Sequence, residues 1–413
     1  MGNTPKLRFD GFTEDWEQRK IGEWGYFYYG HSCPKWSVTE DATTPCIRYG
    51  ELYTKFGSKI EKVYSYTNIP KESLRFSKGT EVLMPRVGED PLDYNHCTWL
   101  SLANIAIGEM ISVYNTEQNP LFTTVMFNAT LKHEFAKRVE GGSVTNLYYE
   151  KLLDIPVSFP NIEEQKKVAR LFDNIDRLIT LHQRKCNALV SAKKFYLQNL
   201  FPQKGETTPR IRFNGFADAW EQRKVGTFTN VLSASRVHKD EWRTEGIPFY
   251  RSSDVISAFK GNDNERAFIS AKLYEELIKS SGRLEKDDIL ITGGGNIGIP
   301  YIVPNNEPLY SKDADLIWIK KSGEHDSQYL FAYFTSKGFR EYISSISHVG
   351  TIAHYTIEQV KDTPVLLPSI AEQYAVGTFF ARLDHLITLH QRKVSTLQTM
   401  KKFMLQNLFP KEA

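Results

Sequence analysis

The sequence predicts an α+β protein: two α+β domains separated by two long helices that form an antiparallel coiled coil, in a pseudo-two-fold internal repeat. Three observations predict this fold. Two segments each occur twice in the same order, one of them has the apolar spacing of a long helix, and the stretches between them mix strand-like and helix-like patterns. A length of 413 residues suits two or three domains.

The duplication is clearest in two pairs of segments. Residues 5–24 read PKLRFDGFTEDWEQRKIGEW, and residues 209–228 read PRIRFNGFADAWEQRKVGTF. Residues 155–202 and 363–410 share LITLHQRK and close on LQNLFP in both copies. The stretches between these pieces barely match. Two such long units are not a short-repeat solenoid, so they indicate two related domains with distinct ligands on a shared framework.

The second repeated segment predicts a long helix in each half, from Ile162 to Leu200 and from Ile370 to Leu408. Asn161 and Ser369 are favourable N-caps, and a glutamate three residues later completes the pattern of a capping box. Both helices end at Phe-Pro, because proline cannot continue a helix. A 3–4 spacing typical of a coiled-coil seam is formed by Val168, Leu171, Ile175, Leu178, Leu189, Ala192 and Tyr196, and by Val376, Phe379, Leu383, Leu386, Leu397, Met400 and Met404.

A pseudo-two-fold repeat predicts that the two helices run antiparallel and meet near Leu181 and Leu389. The residues predicted at this dyad are Leu178, Leu181, His182, Leu386, Leu389 and His390. Polar residues interrupt the seam at the same places in both copies, and we expect them to set the coiled-coil register or to face a partner. The alternative is a helical linker that packs only on its own domain.

The stretches between the repeated pieces contain short runs rich in β-branched and aromatic residues, which predict strands. These runs lie at 44–49, 81–84 and 103–107 in the first half, and at 247–251, 288–291 and 316–319 in the second. A helix is predicted over 328–345. No regular βαβ rhythm is present, so the sequence does not favour a doubly wound parallel sheet.

Composition narrows the class of protein. Hydrophobic residues make up 41% of the chain and aromatic residues 13%, which is enough to build packed cores. No apolar run approaches 18 residues and the first residues lack a signal-peptide core, so we expect a cytoplasmic protein without a membrane span. Cys33, Cys46, Cys97 and Cys186 are widely spaced, which indicates reduced thiols rather than a disulfide or zinc framework.

The sequence motifs of catalysis are missing or incomplete. Residues 293–298 match G-x-G-x-x-G, but a strand-like segment follows, so we expect a glycine loop between strands rather than a dinucleotide site. His133-Glu134 begins like H-E-x-x-H, but Lys137 stands where the second histidine belongs. The sequence has no P-loop, no G-x-S-x-G elbow and no Asn-Pro-Pro-Tyr element. It therefore favours a chain without catalytic activity.

The repeated motifs carry a specific resemblance. The duplicated R-F-x-G-F-x-x-x-W-E-Q-R-K, the helix opening on Ile-x-Glu-Gln and the ending Leu-Gln-Asn-Leu-Phe-Pro resemble the specificity subunit of bacterial type I restriction–modification enzymes. The resemblance covers essentially the whole chain. It implies target-recognition domains at 1–160 and 205–368, and conserved spacer helices at 161–204 and 369–413.

This resemblance implies a DNA-binding subunit with no catalysis of its own. Each target-recognition domain would read one half of an asymmetric bipartite site in double-stranded DNA, and the paired helices would set the spacing and dock two modification (methyltransferase) subunits. Restriction (translocase/endonuclease) subunits would join them. S-adenosylmethionine, ATP and Mg²⁺ are expected on the partner subunits, and neither a cofactor nor a metal on this chain. Half-sites one helical turn apart would leave an unread gap of about 5–7 bp.

Base readout favours arginine on guanine and asparagine or glutamine on adenine. Together with the resemblance, local patterns predict DNA contacts by Arg48, Tyr49, Arg86 and Ser143 in the first half, and by Arg251, Ser252, Asn296 and Thr351 in the second. The segment around Arg86 has fewer glycines than the family's strand-plus-glycine loop. For each arginine the alternative role is a phosphate contact or a surface ion pair.

The net charge of +3 is low for a DNA-binding chain. The predicted helix segments hold an excess of basic residues, so the remaining residues are net acidic. Since non-specific attraction to phosphates grows with basic contacts, the domains would depend on base readout and on partner subunits. Two other function classes stay open. One is a nuclease or methyltransferase fused to its reader, and the other is a structural adaptor that bridges two partner proteins without reading DNA.

Overall fold

The computed structural model of this chain describes residues 4–312, 315–346 and 354–410. The chain divides into two compact units: unit 1 contains Met1–His182 and Lys393–Ala413, and unit 2 contains Gln183–Arg392. Each unit therefore combines one α+β domain with one half of each long helix. The segments predicted from the sequence were drawn differently, with each long helix kept whole.

Unit 1 contains two main sheets. The larger has, in spatial order, Gly25–Tyr29, Ile111–Thr116, Glu81–Pro85, Thr98–Leu100 and Lys59–Ile60. The smaller has Ser65–Thr67, Thr44–Ile47, Ala103–Ile107 and Phe76–Lys78. Two further sheets are formed by Glu140–Gly141, Thr145–Asn146 and Val87–Gly88, and by Glu17–Lys20 with Pro156–Phe159. The shorter α-helices are Ile21–Trp24, Tyr49–Thr54, Pro120–Thr130 and Lys132–Ala136.

Unit 2 has the same kind of architecture with fewer strands in the described residues. One sheet has, in order, Val231–Ser233, Leu316–Ile319, Ile289–Thr292 and Pro300–Ile302. The others are Ala267–Ile269, Ile247–Tyr250 and Tyr310–Ser311, and Glu221–Lys224 with Pro364–Leu367. The shorter α-helices are Ser252–Lys260, Ala271–Ser281, Ser327–Thr335, Lys337–Ile346 and Ile357–Lys361. The helix predicted over 328–345 is thus two helices, because the chain becomes extended at Ser336.

The long helices span Ile162–Asn199 and Ile370–Asn407, close to the predicted bounds. In unit 1 the ammonium of Lys401 lies 2.5 Å from the carboxylate of Asp176, which joins the start of one helix to the end of the other. Unit 2 has the equivalent ion pair between Lys193 and Asp384. The helices therefore run antiparallel in each unit, in the same register, as the coiled-coil prediction requires.

The seam between these helices differs in part from the predicted one. Val168, Ile175 and Val376 are buried as predicted. Leu178 and Leu386 were assigned to the seam, yet they are 43% and 39% exposed. Phe172 and Phe380, each one residue after a predicted seam position, are buried in the hydrophobic cores of units 1 and 2. The packed face of each helix therefore includes positions next to those predicted. Whether Leu178, Leu181, His182, Leu386, Leu389 and His390 form the dyad stays a prediction.

The first repeated motif is explained by the way each domain is attached to its helix. In unit 1, Arg8 donates two hydrogen bonds of 2.8 Å to the carboxylate of Glu164 in the first helical turn. In unit 2, Arg212 makes the same bidentate pair with Glu372, with both bonds at 2.7 Å. The capping box was therefore half right: Asn161 Oδ1 accepts the backbone N–H of Glu164, but the glutamate side chain binds arginine instead of the N-cap.

The Gln of the Ile-x-Glu-Gln motif joins a second helix to this attachment. The Gln165 amide nitrogen donates to the carbonyl of Pro160, and its amide oxygen accepts the N–H of Asn119, the N-cap of Pro120–Thr130. Gln373 does the same with Pro368 and with Asp326, the N-cap of Ser327–Thr335. These buried polar side chains are repeated because both units use one set of hydrogen bonds at the domain–helix junction.

A buried histidine in unit 2 makes its stability depend on pH. Burial lowers the pKa of His325 to about 4 from an ordinary 6.5, and its Nδ1 lies 2.8 Å from the hydroxyl of Ser322. Between these pH values the unfolded chain binds a proton that the folded chain does not, so the free energy of unfolding falls as pH falls from 6.5 towards 4. We expect a loss of about 2 kcal/mol by pH 5, absent above pH 6.5.

Urea unfolding of unit 2 at pH 7 and pH 5 measures this loss, followed in the wild type and in His325→Gln. The variant should show a smaller difference between the two pH values than the wild type. Equal differences in both proteins would assign the pH dependence to other groups.

Within the described residues, no helix combines the length and the apolar character needed to cross a membrane.

Candidate functional site

The strand ends of unit 1 meet through a set of backbone hydrogen bonds. After the strand Thr44–Ile47, the carbonyl of Ile47 accepts the N–H of Gly108 at 2.9 Å. Arg86, after the strand Glu81–Pro85, donates its N–H to Met110 and accepts the N–H of Leu147. These contacts bring four chain segments that are far apart in sequence to one edge, which we call the first edge (residues 48–49, 86–88, 108–110 and 140–147).

Unit 2 repeats these hydrogen bonds with other residues. The carbonyl of Tyr250 accepts the N–H of Lys312 at 2.8 Å. Gly293 donates its N–H to Asp315 and accepts the N–H of Tyr355, both at 2.8 Å. These segments form the second edge (residues 251–252, 293–298, 312, 315 and 354–355). The two edges share a backbone pattern although their side chains differ, which is the arrangement expected of two readers with different targets.

The predicted DNA contacts fall on these edges wherever the structure describes them. Arg48 and Tyr49 begin the helix that follows the strand Thr44–Ile47, and Arg251 and Ser252 begin the equivalent helix in unit 2. Tyr49, Ser143 and Asn296 are exposed, and Ser143 lies in the turn between the strands Glu140–Gly141 and Thr145–Asn146. Thr351 lies outside the described residues.

The two equivalent arginines differ in what holds them. The Arg251 guanidinium donates through Nε to Asp254 at 2.9 Å, also binds the carbonyl of Glu265, and lies 5.6 Å from the ring centre of Trp242. Arg48 donates only its backbone N–H to the equivalent Glu51, and its guanidinium forms no ion pair with any residue that the structure describes. The first edge therefore presents an available guanidinium, whereas the second does not at this position.

Arg86 is held within the first edge. Its guanidinium lies 4.9 Å from the ring centre of Tyr29 and 5.8 Å from that of Tyr148, and Nη2 lies 3.0 Å from the sulfur of Met110. Burial, with a hydrogen bond to Glu150, raises the pKa of the Tyr29 hydroxyl. A guanidinium between two tyrosine rings is pre-positioned but partly covered, so a direct base contact would require it to extend past the rings.

Ser252 is also occupied, because its hydroxyl donates to the carbonyl of Asp315 at 3.0 Å. Asn296 differs. Its backbone carbonyl accepts a hydrogen bond from the Thr292 hydroxyl, but its side-chain amide has no hydrogen-bond partner among the residues described. Arg48 and Asn296 thus have side chains without a hydrogen-bond partner among the residues described, as do the exposed Tyr49 and Ser143.

The described residues contain no cluster of three or more histidine, cysteine, aspartate or glutamate side chains that could hold a metal ion. Glu134, in the incomplete H-E-x-x-H pattern, is paired with Lys137 and Arg138. The four cysteines are free thiols. A hydrogen bond from Cys46 lowers the pKa of Cys33, and both lie in a small apolar core beneath the first edge.

The family model for the type I restriction modification DNA specificity domain matches this chain twice, over residues 13–191 and 217–399. The chain belongs to this family. It is a type I restriction–modification specificity subunit with two DNA specificity domains, and each match takes in one α+β domain together with most of its long helix. The two edges thus lie one in each specificity domain.

Specificity subunits from other organisms are similar to this chain over most of their length. The type I restriction enzyme MjaVIII specificity subunit of Methanocaldococcus jannaschii is 24% identical over 416 residues, which cover 96% of this chain and 92% of the relative. A putative specificity subunit of Haemophilus influenzae is 21% identical and covers 75% of this chain and 76% of its own. The crystal structure of the S subunit from M. genitalium matches with a TM-score of 0.63 at 15% identity, covering 99% of this chain and 100% of that one, and supports the same fold.

Sequence patterns missed two features of the site. They treated Arg48 and Arg251 alike. In the structure, Asp254 binds the guanidinium of Arg251, whereas Glu51 does not bind that of Arg48. They also gave no reason to single out Met110 and Asp315, whose carbonyls accept the N–H groups of Arg86 and Gly293 at the two edges. Each of these residues directly precedes a strand, which the sequence could have indicated. Which residue its carbonyl binds, however, depends on the folded chain.

Proposed function

We propose that each specificity domain reads one half of an asymmetric bipartite DNA site, and that this chain performs no catalysis itself. The observation that supports this proposal is the pair of edges, which share a backbone hydrogen-bond pattern and differ in their exposed side chains. Equivalent frameworks place both readers alike, while different side chains select different bases.

The long helices support a second part of the proposal, the docking of two modification subunits. Exposed apolar side chains recur at equivalent positions on the two helices: Leu178 and Leu386, Leu181 and Leu389, Phe195 and Phe403. Each unit contains one complete set, so the chain offers two equivalent apolar surfaces to two copies of one partner. Restriction subunits would join this complex, and S-adenosylmethionine, ATP and Mg²⁺ would bind to the partner subunits.

Sequencing of methylated bases tests the proposed function. DNA modified by this chain with its modification subunits should carry an asymmetric motif in two parts with a fixed unread gap. Methylation by this chain alone would contradict the non-catalytic role. Modification without any sequence preference would contradict reading by the two domains.

The length of the paired helices should set the unread gap. One heptad inserted after Lys185 and one after Lys393 would keep the helical faces nearly in phase and add about 10 Å of helix. At 3.4 Å per base pair, we expect the gap in the methylated motif to lengthen by about 3 bp. A gap that stays the same in the doubly extended protein would exclude the helices as the ruler, and substitution of seven surface residues without insertion serves as the control.

A further inference from the structure

The two edges differ in which arginine or asparagine side chain lacks a hydrogen-bond partner among the described residues, Arg48 at the first edge and Asn296 at the second. This difference bears on what each half-site contains. The inference rests on the proposed reading of DNA by both domains. It concerns the carboxylates at Glu51 and Asp254, which stand three residues after Arg48 and Arg251 and cap the same helical turn.

At the first edge, the Glu51 carboxylate is satisfied without the arginine side chain. One oxygen accepts the backbone N–H of Arg48 at 2.8 Å, and the other accepts the hydroxyl of Ser65 at 2.8 Å. Each oxygen of the buried Glu51 carboxylate thus has a neutral hydrogen-bond donor, and neither binds the guanidinium of Arg48. The guanidinium of the half-buried Arg48 therefore has no ion-pair partner among the described residues, and the next residue, Tyr49, is exposed.

At the second edge, Asp254 takes up the guanidinium itself. Its Oδ2 accepts both the backbone N–H and Nε of Arg251, and Oδ1 accepts the amide of Asn264 at 2.7 Å. Nη2 of Arg251 donates to the carbonyl of Glu265 and lies 3.4 Å from Oδ1 of Asp254. Extending Arg251 to a base would leave a buried carboxylate without this cation, which carries a cost.

The second edge instead has a glycine loop, closed by hydrogen bonds, that carries Asn296. The backbone of Thr292 bonds to Gly298 and Ile299 on the far side of the loop, and its hydroxyl accepts the N–H of Ile299 at 2.9 Å. Arg340 donates to the carbonyl of Gly298 at 2.8 Å. The loop is thus fixed at both ends, and the exposed Asn296 side chain stands at its tip without an internal partner among the described residues.

We propose that the first domain discriminates a guanine through Arg48, that the second discriminates an adenine through Asn296, and that Arg251 reads no base. A guanidinium pairs with O6 and N7 of guanine, and an asparagine amide pairs with N6 and N7 of adenine. Arg86, which stands where the second edge has Gly293, leaves no equivalent glycine loop in the first domain.

The test uses the full-length chain in complex with its modification subunits, acting on a randomised duplex library in the presence of S-adenosylmethionine. Arg48→Ala should relax one guanine in one half-site, and Asn296→Ala should relax one adenine in the other half-site. We expect each to lose roughly 5- to 150-fold of its discrimination at that position. Arg251→Ala is the matched control for Arg48→Ala and should relax no base.

Arg251→Gln, which keeps hydrogen-bond donors near Asp254, replaces the control if the alanine variant does not fold. The proposal is overturned if either Arg251 variant relaxes a guanine, if the bases relaxed by Arg48→Ala and Asn296→Ala are of other kinds, or if these variants weaken methylation uniformly at all sites. A wild-type motif in two parts with any of these results would overturn the base assignment alone. A wild type without such a motif would overturn the proposed function as well.

Discussion

Replacing Phe409 with alanine is expected to destabilise unit 1 by about 3–5 kcal/mol, although this residue lies at the far end of the chain from most of that unit. Phe409 is 3% exposed. Its ring centre lies 6.3 Å from that of Trp16, 5.7 Å from Phe122 and 6.1 Å from Phe172. Truncation to alanine removes these contacts and leaves a cavity in the hydrophobic core of unit 1.

Hydrogen exchange resolved by peptide measures this effect in each unit separately. In Phe409→Ala the protection of residues in the Pro120–Thr130 helix should fall, while that of Ser327–Thr335 should remain. Phe201→Ala is the mirror-image control, because Phe201 packs on Trp220, Tyr329 and Phe380 in unit 2. Phe403→Ala, on the same helix but 51% exposed, should change neither. A Phe409→Ala protein with normal protection in unit 1 would contradict the prediction.

Replacing Glu164 with glutamine is expected to cost about 3 kcal/mol, because it removes one partner of a buried ion pair. The Glu164 side chain is 1% exposed and that of Arg8 is 14% exposed. Glutamine can accept only part of the bidentate bond and leaves the guanidinium without its counter-charge. The carboxylate also lies in the first turn of the helix Ile162–Asn199, where negative charge is favourable.

Urea unfolding of unit 1 measures this loss, with two comparison variants. Glu163→Gln removes an exposed charge from the same helical turn and should destabilise unit 1 far less than Glu164→Gln does. The double variant Arg8→Leu/Glu164→Leu should be more stable than Glu164→Gln, because no unpaired charge remains buried. Equal losses in Glu163→Gln and Glu164→Gln would show that the buried pair has no special weight.

Much of the fold could be predicted because it depends on local patterns. The helices Ile162–Asn199 and Ile370–Asn407 follow from their N-caps and their Phe-Pro ends, and the glycine loop at 293–298 was correctly placed between strands. The seam was less accurate: Leu178 and Leu386 fit a 3–4 spacing, but a spacing does not determine which neighbouring rows face a partner. The single helix predicted over 328–345 was wrong, because the chain becomes extended at Ser336, between the helices Ser327–Thr335 and Lys337–Ile346.

The sequence likewise predicted the positions of some candidate site residues but not the contacts of their side chains. Sequence patterns placed Arg48, Arg251 and Asn296 at strand ends and in a loop, where the structure also has them. They could not show that Ser65 satisfies Glu51, or that Asp254 takes the guanidinium of Arg251. Those contacts depend on which segments the sheets bring together.

The sequence by itself determined the duplicated architecture, the two long helices and the family, because repeats, caps and helical periodicity are written in residues close to one another. Only the tertiary structure decided that Leu408 and Phe409, just after the second helix, complete the core of the first unit. It also decided which of two equivalent arginines lacks an ion-pair partner among the described residues. The physical reason is that burial and hydrogen-bond satisfaction are settled by residues far apart in the chain. Phe409 against Trp16 and Ser65 beside Glu51 are contacts that no local pattern specifies.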